Sequence, residues 1–166
     1  MAFVYSFPPI ISRNSKVLIL GSMPGEVSLK AEQYYAHPRN AFWRIMGELL
    51  GAGLSLPYQE RLLVLDSAGI GLWDSLRACT RRGSLDSKIR DEEANDFAAL
   101  FASFPTITHV FFNGAKSEAA FRRHVLPTLA GSERAFARLP STSPAHAGMT
   151  FDEKVKRWRA VTKALS

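Results

Sequence analysis

Apolar positions along this chain fall into short unbroken runs separated by longer stretches of helical period. The run KVLIL at 16–20 is apolar almost throughout and leads straight into GSMPG, the pattern of a buried parallel strand that ends in a tight loop. A helical pattern covers 41–51 (AFWRIMGELLG) and stops at Gly51. A second, over 58–67, precedes the short apolar segment GIGLWD, which reads as the second strand. The segment DEEANDFAALFASF (91–104) predicts a third helix whose acidic first turn complements the helix dipole. THVFFNG (108–114) then reads as a third strand, and AKSEAAFRRHVLPTL (115–129) as a helix. RAFARLP predicts a fourth strand, STSPAHAGM a loop, and Thr150 with Glu153 a capping box that opens the last helix over 151–165.

Strands alternating with helices imply an α/β fold of three layers, α/β/α, around a central four-stranded, mostly parallel sheet with right-handed crossovers. Ligands of such sheets bind outside the carboxyl ends of the strands. The four least ordinary segments, GSMPG, LWDS, FNGAK and LPSTSPAHA, each follow a predicted strand, so they are expected to converge on one cleft. At 166 residues and 46% hydrophobic content, with no repeat, low-complexity tract or linker, the chain is expected to form a single domain over 1–166.

Composition narrows the chemistry. One cysteine, Cys79, allows no disulfide within the chain and no four-cysteine cluster. His37, His109, His124 and His146 lack zinc-type spacing, so no metal is expected. No stretch approaches the roughly 20 apolar residues of a membrane-spanning helix, and the N-terminus lacks a secretory pattern, so no membrane partner and a cytoplasmic location are expected. The net charge of +6 suits a polyanionic partner, although a basic surface is often only a solvated one. Two basic clusters, Arg81, Arg82, Lys88 and Arg90, and Lys154, Lys156, Arg157, Arg159 and Lys163, admit both readings.

Two segments carry more than structure. GSMPG sets Gly21 and Gly25 around Pro24, so the backbone can turn sharply and approach a flat ligand closely. QYYAHPRNAFW packs aromatics, a histidine, an arginine and an asparagine between the first strand and the first helix. Together with LPSTSPAHA, and over roughly residues 17–147, these segments resemble the uracil-DNA glycosylase superfamily: its mismatch-specific uracil enzymes and, more closely, their hypoxanthine-DNA (deoxyinosine) glycosylase relatives.

The resemblance implies an enzyme that flips a deaminated base, hypoxanthine first and uracil as an alternative, out of DNA and hydrolyses its N-glycosidic bond. It places Gly21, Ser22, Met23, Pro24, Tyr35, Phe42 and Asn113 around the base, with Tyr35 as the stacking platform that a base removed from the helix needs. Tyr34 and Tyr35 cannot easily share one pocket, so one of the two is expected in the core. Asn40 is the leading catalytic candidate, holding a water or the base through its amide, and it is equally suited to capping the helix that follows.

Met23 departs from the pattern: uracil-specific relatives have a water-activating aspartate or asparagine there. Catalysis then leans on Asn40, on Asp74, or on a transition state needing little nucleophilic push. Asp74 falls where an asparagine reads the pyrimidine edge in relatives; an ionised carboxylate only accepts hydrogen bonds, which suits the N1–H of hypoxanthine or the N3–H of uracil but offers no donor to a carbonyl, so hypoxanthine is the better fit. Its plainer alternatives are a helix cap or a surface ion pair with Arg77 or Arg81. Asn113 and Gly114 precede a helix whose N–H groups would attract an anion or a carbonyl.

His37, Lys116, Ser141, Thr142, Ser143, Pro144 and His146 are expected to contact DNA, with His146 equally suited to a structural role. The leucine wedge common in relatives is missing from the 139–147 loop, which implies a preference for bases already mispaired or unpaired. No lysine stands in a motif position suited to Schiff-base attack, so a monofunctional, cofactor-free, monomeric enzyme is expected. Two rivals stand beside it: a small-nucleotide hydrolase, for which the sequence shows no metal-binding acidic cluster, and a catalytically silent DNA-damage binding module, which Met23 keeps open.

Overall fold

The computed structural model describes residues 2–131 and 133–166. In chain order the elements are β1 (Phe3–Tyr5), β2 (Val17–Gly21), α1 (Glu26–Ala31), α2 (Phe42–Leu50), α3 (Tyr58–Ala68), β3 (Ile70–Asp74), β4 (Leu76–Thr80), β5 (Arg90–Ala94), α4 (Phe97–Ser103), β6 (His109–Asn113), α5 (Ala115–His124), β7 (Ala135–Leu139) and α6 (Phe151–Leu165). Short 3-10 turns cover Asp86–Lys88 and Leu126–Thr128.

The predicted central sheet is present, with strand order β3-β2-β6-β7 and every pairing parallel. The side-chain alternation of β2 explains why it lies in the middle. Val17 and Ile19 enter one core with Phe42, Trp43, Ile45 and Met46 of α2, Leu65 of α3 and Trp158 of α6. Leu18 and Leu20 enter another with Phe97, Leu100 and Phe101 of α4 and Phe121 of α5. Both faces of the sheet are thus covered, which is what an unbroken apolar run requires. From β2 the chain moves to β3 on one side and later returns to β6 on the other, so the sheet has its switch point between β2 and β6.

A second sheet, of order β1-β4-β5 and antiparallel, was not expected from the sequence. It corrects the third predicted helix: residues 90–94 form strand β5, and the helix begins only at Phe97, capped by Asp96, whose side chain accepts from Ala99 N at 3.1 Å. The acidic residues Asp91, Glu92 and Glu93 therefore decorate an edge strand, where charge discourages pairing with another chain, rather than a helix dipole. The helix predicted over 115–129 likewise ends at His124, with Pro127 confined to a 3-10 turn because its ring cannot continue the ladder. The last helix runs as predicted; Thr150 Oγ1 accepts from Glu153 N at 3.2 Å, one half of the capping box. Among the described residues no helix is long and apolar enough to cross a membrane.

Trp158 is fully buried, and its indole N–H donates to Pro140 O at 2.9 Å, so it joins α6 both to the core and to the loop after β7. Trp158→Ala is expected to lower the unfolding free energy by about 3–5 kcal/mol in denaturant titration; a loss below about 1 kcal/mol would contradict the packing described.

Candidate active site

A cavity of about 850 Å³ opens at the carboxyl ends of the strands. Its walls come from the segments after β2, β3, β6 and β7, as expected, and also from residues 34–40 and 84–87.

Its floor is set by strand register. Gly21 and Asp74 are paired positions at the ends of β2 and β3. A Cβ at Gly21 would lie 2.6 Å from Asp74 Oδ1 and 3.2 Å from the Tyr35 hydroxyl, so only glycine lets these groups come together. Asp74 is 3% exposed, and its Oδ2 is buried without a hydrogen-bond partner. Asn95 holds the strand end by donating to Asp74 O at 2.8 Å. Burial, and next the charge of Asp86, push the Asp74 carboxyl up to about 7, against the opposing pull of Arg81. The surface ion pair and the helix cap considered for Asp74 are both absent: Arg77 pairs with Glu93 instead.

Tyr34 and Tyr35 divide as their adjacency demands. Tyr34 is buried, its hydroxyl donating to Pro8 O at 3.0 Å. Tyr35 takes a left-handed backbone (φ 57°), an uncommon conformation for a bulky residue, and lines the cavity. Its ring stacks on Phe42 at 4.0 Å between centroids and 22° between planes. Burial, and then Asp74, raise the phenol pKa, against the opposing pull of the nearby Asn113 side chain; the hydroxyl nonetheless has no partner at hydrogen-bond geometry. Phe42 does not reach the cavity, which corrects its expected contact with the base: it is fully buried and backs Tyr35.

Asn40 lines the cavity from the position before the N-cap residue Ala41, so it is not the cap of α2 itself; its Oδ1 accepts from Phe42 N at 2.9 Å and ties it to the first turn. Met23 borders the cavity while its side chain packs with Leu76, Cys79, Ile89 and Ala120, so this position brings neither a carboxylate nor an amide to the cavity. Ser22 donates to Asp86 Oδ1 at 2.6 Å, and Pro24 O accepts from Arg81 at 2.5 Å.

Several of the residues expected to meet the base or the DNA also have partners within the protein. Asn113 Oδ1 accepts from Thr142 N, and its Nδ2 donates to Thr142 Oγ1, both at 2.9 Å, so the amide is oriented by the loop while one N–H and one lone pair remain on the cavity wall. Thr142 is 1% exposed, and its carbonyl accepts from Ala41 N. The hydroxyls of Ser141 and Ser143 accept from Ser143 N and Ala145 N. Lys116 pairs with Glu92 at 3.0 Å. His37 lines the cavity, with Nδ1 accepting from Arg39 N; Pro144 and the exposed His146 stand on its rim. Among the described residues no three His, Cys, Asp or Glu side chains gather as metal ligands.

Two basic residues read from the sequence as surface charge are buried. Arg81 donates to Gly83 O and Pro24 O. Lys154, 5% exposed, donates to His146 O at 2.8 Å, and burial lowers its pKa. No local motif marks either one, since Arg81 is held in place by Pro24 O, which is remote in sequence, and Lys154 by the backbone of the loop before its helix.

The raised Asp74 pKa has a stability consequence. Protonated Asp74 is favoured in the folded protein, so its stabilisation is complete below about pH 4 and is lost as pH rises through about 7. Asp74→Asn stays neutral, so its Tm advantage over the native chain should be larger at about pH 8.5 than at about pH 5 by several degrees. An advantage independent of pH in thermal unfolding would contradict the burial of this carboxyl.

Comparison with known proteins agrees with this geometry. The family model of the Uracil DNA glycosylase superfamily matches residues 8–164. A hypoxanthine DNA glycosylase of Methanosarcina barkeri (strain Fusaro / DSM 804) is 50% identical over 112 residues, 67% of this chain and 71% of that protein. A second, of Methanosarcina acetivorans, is 39% identical over 141 residues, 80% of this chain and 89% of that one. The solution NMR structure of a candidate uracil DNA glycosylase from Methanosarcina acetivorans superimposes with a TM-score of 0.83 at 37% identity, covering 99% of both chains. With a family model matched over almost its whole length and a cavity at the switch point of a parallel sheet, the chain belongs to the uracil DNA glycosylase superfamily.

Proposed function

We propose that this chain is a monofunctional DNA glycosylase, one domain acting as a cytoplasmic monomer, that releases hypoxanthine, and secondarily uracil, from DNA and leaves an abasic site. The observation that carries the reading is Asp74, a buried carboxyl with one unpartnered oxygen that lines a cavity large enough for a base with its sugar. Relatives named for hypoxanthine support a purine as the base.

The base lies against the open face of the Tyr35 ring, which Phe42 holds from behind. Ionised Asp74 accepts from N1–H of hypoxanthine. Adenine has a lone pair at that position and is repelled by the same carboxylate, so the acceptor-only form discriminates where a neutral carboxyl, able to donate, would not. Asn40 Oδ1, fixed by the Phe42 N–H, has a second lone pair for one proton of a water placed at C1′. As the C1′–N9 bond breaks, the water oxygen bonds to C1′, its proton is lost, and the purine leaves with the bonding pair and takes up a proton. With Met23 packed away, the step depends on an oxocarbenium-like transition state and little nucleophilic push.

Single-turnover release from duplexes bearing one hypoxanthine, one uracil or no lesion, developed with alkali, tests this. Hypoxanthine is released fastest, Asn40→Ala loses at least about 100-fold, and Tyr35→Ala loses at least about 10-fold while Tyr35→Phe keeps the platform and most activity. On the hypoxanthine duplex, kcat/KM rises as pH passes upward through about 7 and flattens in Asp74→Asn. Tight binding without release from any duplex would instead identify a silent damage-binding module.

A further inference from the structure

Drawing a paired base out of a duplex leaves a gap in the stack, and unstacking costs a few kcal/mol unless a side chain fills the space. The 141–146 rim offers nothing apolar that is larger than Pro144: Thr142 is buried, and the Ser141 and Ser143 hydroxyls are turned onto their own backbone. Among the exposed large apolar side chains of the described residues, only Val27 and Leu85 line the cavity, at 41% and 50% exposure.

A single exposed leucine is ordinary; a pinned one at the mouth of the cavity is not. Leu85 follows the left-handed Gly83 (φ 76°) and leads into the 3-10 turn Asp86–Lys88. On one side of it Ser84 Oγ accepts from Glu26 N at 2.8 Å, and on the other Asp86 accepts from Ser22 at 2.6 Å. Arg81 staples Gly83 O to Pro24 O. The backbone is thus fixed to the GSMPG segment while the side chain remains exposed, with the exposed Arg82 and Lys88 on either side of it in the sequence. Val27 is shorter and stands in the first turn of α1.

We infer that Leu85 enters the base stack and fills the gap left by the flipped nucleotide, with Arg82 and Lys88 on the flanking phosphates. This rests on the glycosylase reading above. The test compares single-turnover release of hypoxanthine from a duplex and from the same strand unpaired, with 2-aminopurine beside the lesion as a fluorescent report of unstacking. Leu85→Ala should lose at least about 10-fold on the duplex and less than about 2-fold on the single strand, with Leu85→Met restoring most of the duplex rate. Equal losses on both substrates, or none on the duplex, overturn the inference. If the native chain releases no base at all, the glycosylase reading fails while the wedge is still tested: 2-aminopurine brightening with the native chain but not with Leu85→Ala supports it, and brightening with both or neither overturns it.

Discussion

The close approach of Gly21 and Asp74 is the constraint on which the site depends. Parallel pairing puts the two residues side by side at the carboxyl end of the sheet, and the missing Cβ of Gly21 leaves room for a carboxylate and a phenol hydroxyl in the same small volume. Sheet register, rather than a flexible loop, therefore fixes the position of the acceptor. The cost is a buried carboxyl with an unsatisfied oxygen, which the fold tolerates because strong cores on both faces hold the strands in place.

Around this floor, polar residues act mainly as ties between loops. Asn113 clamps Thr142, Thr142 holds Ala41, Lys154 holds His146, and Arg81 joins Gly83 to Pro24. Most of these partners lie far apart in sequence. They turn four loops into one rigid rim, the preorganisation needed to position a reactive bond and a water together.

Apolar runs such as VLIL and HVFF and the 3.6-residue period of α6 made the central sheet and its flanking helices legible in the sequence, because burial on both faces leaves a strong pattern. The β1-β4-β5 sheet was not legible: RDEEA carries its charges on an exposed edge, and its pairing with β4 depends on contacts no local pattern encodes. Asp74, Tyr35 and Asn40 were brought to one cavity as their motifs suggested. The supporting role of Phe42, the bonding of Asn113 and Thr142 to each other, and the burial of Arg81 and Lys154 were hidden, since residue type does not reveal which neighbours in the fold an amide or a cation meets. Leu85 was hidden for the converse reason, as one leucine between serine and aspartate has no periodic context.

The central claim is that Asp74 is a buried carboxyl that reads the base as a hydrogen-bond acceptor. Following its side-chain carboxyl by 13C NMR across pH, in the free protein and with hypoxanthine added, tests this most directly. The account predicts titration near 7 in the free protein and a downward shift with hypoxanthine, because N1–H stabilises the ionised form. Titration in the ordinary carboxylate range, or a pKa unmoved or raised by the bound base, would contradict it.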